Sequence, residues 1–139
     1  MRIGLGLGSL VCLAASAALA EGSVDIERAV YVERAAEGVR ALEPATTLRK
    51  GDKVVLVVGW RADSSDRRFT VQSAVPRALA FQRAGNDAVE VSIDGGRNWG
   101  DLGELKAGTR LASAEDVTHL RMRVAGAAAG RMTYSAIVR

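Results

Sequence analysis

The segment from Ala88 to Trp99 constrains the fold of this chain more than any other. Apolar and polar side chains alternate along Val89-Glu90-Val91-Ser92-Ile93, and a polar, glycine-containing stretch, Asp94-Gly95-Gly96-Arg97-Asn98, separates them from Trp99. Strict alternation is typical of a β-strand with one buried face, and Asp, Gly and Asn are typical of turns. The segment therefore predicts a strand that runs into a tight turn closed by tryptophan.

The N-terminus has the three parts of a secretory signal peptide. Arg2 supplies the positive n-region, residues 3–13 the apolar h-region, and Ala18-Leu19-Ala20 a small-x-small cleavage site. The apolar run is shorter than the ~20 residues that a membrane span needs. We therefore expect a signal peptide at residues 1–20, cleaved after Ala20, and one mature domain at residues 21–139. This domain is predicted to be periplasmic or secreted, with no stable membrane span.

Charge and cysteine content exclude several function classes. The chain has 19 basic and 16 acidic side chains, a balance that does not favour nucleic-acid binding, for which basic residues are concentrated in patches. The one cysteine, Cys12, lies in the predicted leader, so the mature chain has neither a disulfide framework nor a thiolate metal site. No cofactor is expected, and stability must come from a hydrophobic core.

Short segments with strand patterning continue along the mature chain, with turn residues between them. The predicted strands are Val24–Val32, Val54–Trp60, Phe69–Ser73, Leu79–Phe81, Ala88–Ile93, Val117–Val124 and Arg131–Val138. No long amphipathic helix is visible. Seven or eight short strands without helices predict an all-β, antiparallel β-sandwich.

Three details of this sandwich follow from the same patterns. The unbroken apolar run Val54–Trp60 predicts a central strand buried on both faces. Residues 33–44 fit either a helical turn or a short edge strand, and residues 99–111 fit a loop with at most a short strand. The last two strands are separated by about five turn residues and are expected to pair as a hairpin.

Four motifs also occur in a fixed order: Leu48-Arg49-Lys50-Gly51-Asp52, Val75-Pro76-Arg77-Ala78-Leu79, Ser92-Ile93-Asp94-Gly95-Gly96 and Asp116-Val117-Thr118-His119-Leu120-Arg121. In these motifs the chain resembles the bacterial conserved-repeat Ig-like family, the domain of unknown function numbered 11, over about residues 24–139. The chain departs from the family at Lys50, where Pro is frequent, and at Ala78, where Gly is usual. The resemblance implies an Ig-like sandwich in a surface or secreted bacterial protein, with a structural or adhesive role and no recognised catalytic residues.

The turn after the strand at residues 88–93 also matches the Asp-box pattern of sialidase-like propellers. One copy cannot form a propeller, which needs at least four blades. We therefore interpret Ser92, Asp94, Gly95 and Gly96 as a structural turn, in which the Asp94 carboxylate accepts hydrogen bonds from N–H groups downstream of it. The alternative is a calcium site with Asp94, Asn98 and Asp101 as oxygen ligands.

His119 is the only histidine, so no second imidazole is available to share a zinc ion. No Gly-x-Ser-x-Gly nucleophile elbow is present, and we predict no catalytic residues and no enzymatic activity. Strand parity places His119, Arg121 and Arg123 on the face opposite Leu120 and Met122. This row is either a solvated strand face or a binding face for an anionic ligand, because guanidinium groups pair with carboxylates and phosphates.

The two tryptophans divide into a core residue and a possible ligand contact. Trp60 ends the most apolar strand and is expected in the core, whereas Trp99 follows a glycine-rich turn and is a possible sugar contact. The sequence thus predicts a non-catalytic structural or interaction module of the bacterial cell envelope that binds another envelope component, protein or glycan. The alternative is a carbohydrate- or cell-wall-binding module that uses Trp99.

Overall fold

A computed structural model of the protein describes residues 23–139, and the predicted signal peptide with its cleavage site lies outside them. The described part is all-β and consists of antiparallel sheets, with one 3-10 turn and no α-helix, as predicted. No helix in these residues is long and apolar enough to cross a membrane. The strands are β1 (Val24–Ala36), β2 (Val39–Pro44), β3 (Lys53–Ala62), β4 (Arg68–Ala74), β5 (Leu79–Ala84), β6 (Glu90–Ser92), β7 (Lys106–Ala107), β8 (Arg110–Leu111), β9 (His119–Ala125) and β10 (Ala129–Val138).

These strands form two larger sheets and one short hairpin. The five-stranded sheet has the order β2-β1-β3-β10-β5, the three-stranded sheet has the order β4-β9-β6, and β7 pairs with β8. Ten strands exceed the seven or eight expected, because β2 and the two-residue strands β7 and β8 lie in segments whose sequence also fits turns and loops. The β7–β8 hairpin turns at Gly108, whose φ of 67° suits glycine.

Both larger sheets bury one face in the same hydrophobic cluster. From the five-stranded sheet come Val54, Leu56, Val58, Trp60, Leu79, Phe81, Met132, Tyr134 and Ala136, and from the three-stranded sheet come Val71, Val91, Leu120, Met122 and Val124. The Trp60 ring meets Phe69 of the other sheet edge-on, with 6.2 Å between ring centroids, a favourable aromatic geometry. Each larger sheet therefore has an inner face on the shared core and an outer face.

β3 is central in its sheet, but the prediction that both of its faces are buried is wrong. Its burial alternates: Val54, Leu56 and Val58 are buried, whereas Val55 and Val57 are only half-buried. The two valines lie on the outer face, where neighbouring side chains of the same sheet shield them partly. An unbroken apolar run thus arises here because the outer face of the sheet is itself partly apolar.

The ambiguous segment at residues 33–44 is a β-hairpin. β1 continues to Ala36, and β2 returns beside it with Ala36 opposite Val39. Glu37 and Gly38 connect the strands with φ of 52° and 79°, and positive φ at both central residues is typical of a type I′ turn. The edge-strand alternative is confirmed, and β2 is exposed along its whole length.

The expected hairpin between the last two strands is not formed. β9 pairs with β4 and β6, whereas β10 pairs with β3 and β5, so the connection at residues 126–128 crosses from one sheet to the other. In each of the two strands the apolar side chains lie on one face. The two strands bury these faces against the same core from opposite sides. A short connection and alternating residues fit this arrangement as well as direct pairing.

The order of the strands also differs from that of an immunoglobulin constant domain. If β1, β3, β4, β5, β6, β9 and β10 are lettered A to G, the sheets have the orders A-B-G-D and C-F-E. An immunoglobulin constant domain has A-B-E-D and C-F-G. If the additional edge strand β2 is left out, the division into four and three strands is the same, but the fifth and seventh strands have exchanged sheets.

Candidate functional site

The predicted binding row lies on the outer face of the three-stranded sheet. Leu120 and Met122 are buried against the core, whereas His119 and Arg121 are half-buried and Arg123 is exposed on the opposite side of β9. The parity prediction for this strand is therefore confirmed. The neighbouring residues on the outer face are Gln72 and Glu90, which lie on either side of Arg121 in the register.

The turn after β6 is organised around the Asp94 carboxylate. Its Oδ1 accepts hydrogen bonds from the backbone N–H groups of Arg97 (3.1 Å) and Asn98 (2.9 Å). Its Oδ2 accepts one from the Asn98 side-chain amide at 2.7 Å. These are the contacts of a turn-forming carboxylate. Within residues 23–139 no group of three or more His, Cys, Asp or Glu side chains is placed to hold a metal ion.

Ser92 is buried beneath this turn and holds it in place through hydrogen bonds. Although its parity puts it on the outer face, it is 0% exposed, because the turn folds back over the end of β6. Its hydroxyl donates to Asp94 Oδ1 (2.8 Å) and accepts from the Gly96 N–H (2.9 Å). Gly95 and Gly96 have φ of 78° and 92°, a conformation that glycine adopts without steric cost.

Trp99 lies on the outer face of the three-stranded sheet beside this turn. Its indole N–H and one face of its ring already make contacts within the protein. The indole N–H donates to the Gly96 carbonyl at 3.0 Å. The Arg121 guanidinium lies 4.6 Å from the ring centroid, within the range of a cation–π contact. Arg121 Nε also donates to Glu90 Oε1 at 3.1 Å. Trp99 and Arg121 therefore stabilise the turn on the sheet, and the indole N–H and the ring face under Arg121 are not open to a ligand.

His119 belongs to this network as well. The Thr118 hydroxyl lies 3.2 Å from the Ser92 carbonyl, to which it donates, and it accepts from the Gly95 N–H at 3.0 Å. His119 Nδ1 lies 3.0 Å from the same hydroxyl. Because that hydroxyl has already donated its one proton, we assign the proton of the pair to Nδ1. Of the three predicted binding residues, Arg123 alone makes no ion pair or side-chain hydrogen bond within the described chain.

A surface that was not predicted from the sequence is a groove across the outer face of the five-stranded sheet. It has a volume of about 610 Å³ and extends from β2 to β5. Apolar contacts are offered by Leu42 and Val55, and charged groups by Arg40, Lys53, Arg83 and Glu33. In the sequence, the apolar Val55 and Val57 were the available signal for this surface. The prediction that both faces of β3 are buried assigned them to the core instead. We call this surface the sheet groove.

The electrostatics of the Asp94 turn predict a loss of stability in acid. Hydrogen bonds from Asn98, first from its main chain and then from its side chain, and from Ser92 hold the pKa of Asp94 well below the usual 3.8. The hydrogen bond from Arg110 does the same for the pKa of Asp116. Because these groups bind protons more weakly when folded, their contribution is present above about pH 4 and is lost as the pH falls further.

Urea denaturation between neutral pH and about pH 2 measures this loss. The Asp94→Asn variant removes the titrating group while keeping one oxygen acceptor, so its stability should fall less steeply over the same range. An equal slope for the variant and the unmodified chain would contradict the account.

Comparisons of the chain with protein-family models, with curated proteins and with solved structures gave no match.

Proposed function

We propose that this protein is an exported, non-catalytic interaction module of the bacterial cell envelope that binds a protein partner through its five-stranded sheet. In this proposal residues 1–20 are removed during export, and residues 21–139 form a periplasmic or secreted β-sandwich of the Ig-like kind. The leader pattern and the four motifs shared with the conserved-repeat Ig-like family support the compartment and the architecture. The altered strand order makes the domain a variant of that architecture.

The observation that carries the binding proposal is the contrast between the two outer faces. On the three-stranded sheet several polar side chains already have partners within the protein. Asp94 binds N–H groups of its own turn, and Arg121 contacts both Trp99 and Glu90. On the five-stranded sheet the groove is open, and Leu42, which lines it from the edge strand β2, is 53% exposed. An exposed apolar side chain that lines an open groove is typical of protein-binding surfaces.

The alternative is a carbohydrate- or cell-wall-binding module that uses Trp99. A sugar ring stacks on an open aromatic face, with polar groups near it. In this protein one face of Trp99 lies under Arg121, and the indole N–H is bound to Gly96. The geometry therefore favours a structural role for Trp99, and we rank glycan binding second.

Site-specific photo-crosslinking in the organism that makes the protein tests the proposal. The full chain, leader included, carries a photoreactive amino acid at Leu42 in one variant and at Arg123 in a matched variant. Both positions are exposed, but they lie on different sheets. We expect Leu42 to give a protein adduct of defined mass and Arg123 to give none. Adducts from Arg123 alone, or from neither position, would refute binding through the five-stranded sheet.

A further inference from the structure

We propose that the sheet groove binds an extended acidic peptide segment of the partner, an inference that rests on the proposed interaction function. The groove is lined by three cationic side chains, Arg40, Lys53 and Arg83, and by one carboxylate, Glu33. An excess of positive charge around the apolar contacts of Leu42 and Val55 fits a ligand that carries both carboxylates and apolar side chains.

Within residues 23–139, only one of the three cationic side chains that line the groove is paired with a carboxylate. Nη1 of Arg40 lies 3.5 Å from Oε1 of Glu33, so the charges of these two side chains neutralise each other in part. Lys53 and Arg83 are exposed and form no ion pair with any residue of the described chain. The uncompensated charge of the groove is therefore positive, and it comes from two different strands, β3 and β5. A carboxylate that pairs with either side chain would approach the floor of the groove.

The floor and the length of the groove favour a peptide. The register places Val55, Ser135 and Arg83 side by side on neighbouring strands, while Leu42 lies at the β2 end. Five strands spaced about 4.8 Å apart span about 19 Å, which an extended chain covers with about six residues. The apolar contacts are aliphatic, with no exposed aromatic platform in the lining. Such a surface suits a peptide that carries both apolar and acidic side chains.

The test uses a fluorescein-labelled peptide of about six residues with the sequence Glu-Glu-Val-Val-Glu-Glu, which places both residue types on each face of the extended chain. Its binding to the full chain, expressed with its leader so that any processing occurs, is measured by fluorescence anisotropy. We expect saturable binding that weakens as salt is raised from about 0.1 M to about 1 M, which shortens the screening length from about 10 Å to about 3 Å. A peptide with lysine in place of glutamate should not bind.

Variants locate the site. Lys53→Glu and Arg83→Glu should each weaken binding by about tenfold or more, because each replaces an attraction by a repulsion. Arg123→Glu makes the same charge change on the other sheet and should leave binding unchanged. The double variant Lys53→Gln/Arg83→Gln removes the charges without adding repulsion and should also lose binding. Circular dichroism checks that each variant is folded.

Several results would overturn the inference. Equal binding of the lysine peptide, equal weakening by Arg123→Glu, or binding of polygalacturonate but not of the acidic peptide would each reject an acidic peptide as the ligand. If Leu42 gives crosslinks while the acidic peptide fails to bind, the interaction function stands and only the ligand class is wrong. If both experiments fail, the proposed function fails as well.

Discussion

Replacing Gly130 by alanine is expected to lower the free energy of unfolding by about 2 kcal/mol. Gly130 lies opposite Trp60 in the β3–β10 pair, and the indole ring packs directly over it. A Cβ at this position would lie 2.4 Å from the ring atom Cζ2. Trp60 is only 7% exposed and is held against Phe69, so its ring has little room to move. The steric cost outweighs the benefit that alanine usually brings to a strand.

Gly59→Ala is the matched control for this substitution. Gly59 lies in the same strand pair, next to Trp60 but on the outer face, and the nearest atoms to an added Cβ are 3.9 Å away. Its effect should stay within about 0.5 kcal/mol. Urea denaturation of both variants gives the comparison. Equal stabilities for the two variants would show that Trp60 does not pack over Gly130.

Trp99→Ala should also lower the free energy of unfolding by about 2 kcal/mol, roughly half the cost of removing a fully buried tryptophan. The substitution removes the hydrogen bond to Gly96, the cation–π contact with Arg121 and the ring that covers part of the three-stranded sheet. The exposed neighbour Arg97 provides the control, because its side chain makes no ion pair within the described residues and Arg97→Ala should be close to neutral.

The same variant separates the proposed function from its alternative. Retention on a column of the organism's own cell-wall glycan is measured alongside the denaturation curve. If Trp99 were a sugar platform, alanine would abolish retention and leave stability unchanged. We expect the reverse, a clear loss of stability and no change in retention.

Local features of the fold could be predicted from the sequence because they depend on neighbouring residues. The alternation in β9 correctly placed Leu120 and Met122 inward and Arg123 outward. The composition of the turn after β6 likewise indicated a carboxylate that binds its own downstream N–H groups, and Asp94 makes these contacts. In both cases the residues that determine the local structure lie within a few positions of one another in the sequence.

Other features depend on how distant strands are assembled, and local patterns do not encode them. Alternation in β9 and β10 says that each strand has one apolar face, but not that the two strands belong to different sheets. Likewise, Arg121 looked available for a ligand because nothing in its own strand shows that Trp99 and Glu90 lie against it. The sheet groove has the same origin, since Leu42, Val55 and Arg83 come together only when five strands lie side by side.

The central claim, that a partner covers the five-stranded sheet, is tested most directly by cysteine labelling in intact cells. The one natural cysteine is removed as Cys12→Ser, and a new cysteine replaces either Gln82 in the sheet groove or Arg123 on the other sheet; both natural side chains are exposed. Maleimide labelling is compared between the purified protein and the cell envelope. We expect Gln82→Cys to react readily in the purified protein and slowly in the envelope, while Arg123→Cys reacts equally in both. Equal labelling of Gln82→Cys in the two settings, or protection of Arg123→Cys instead, would contradict the account.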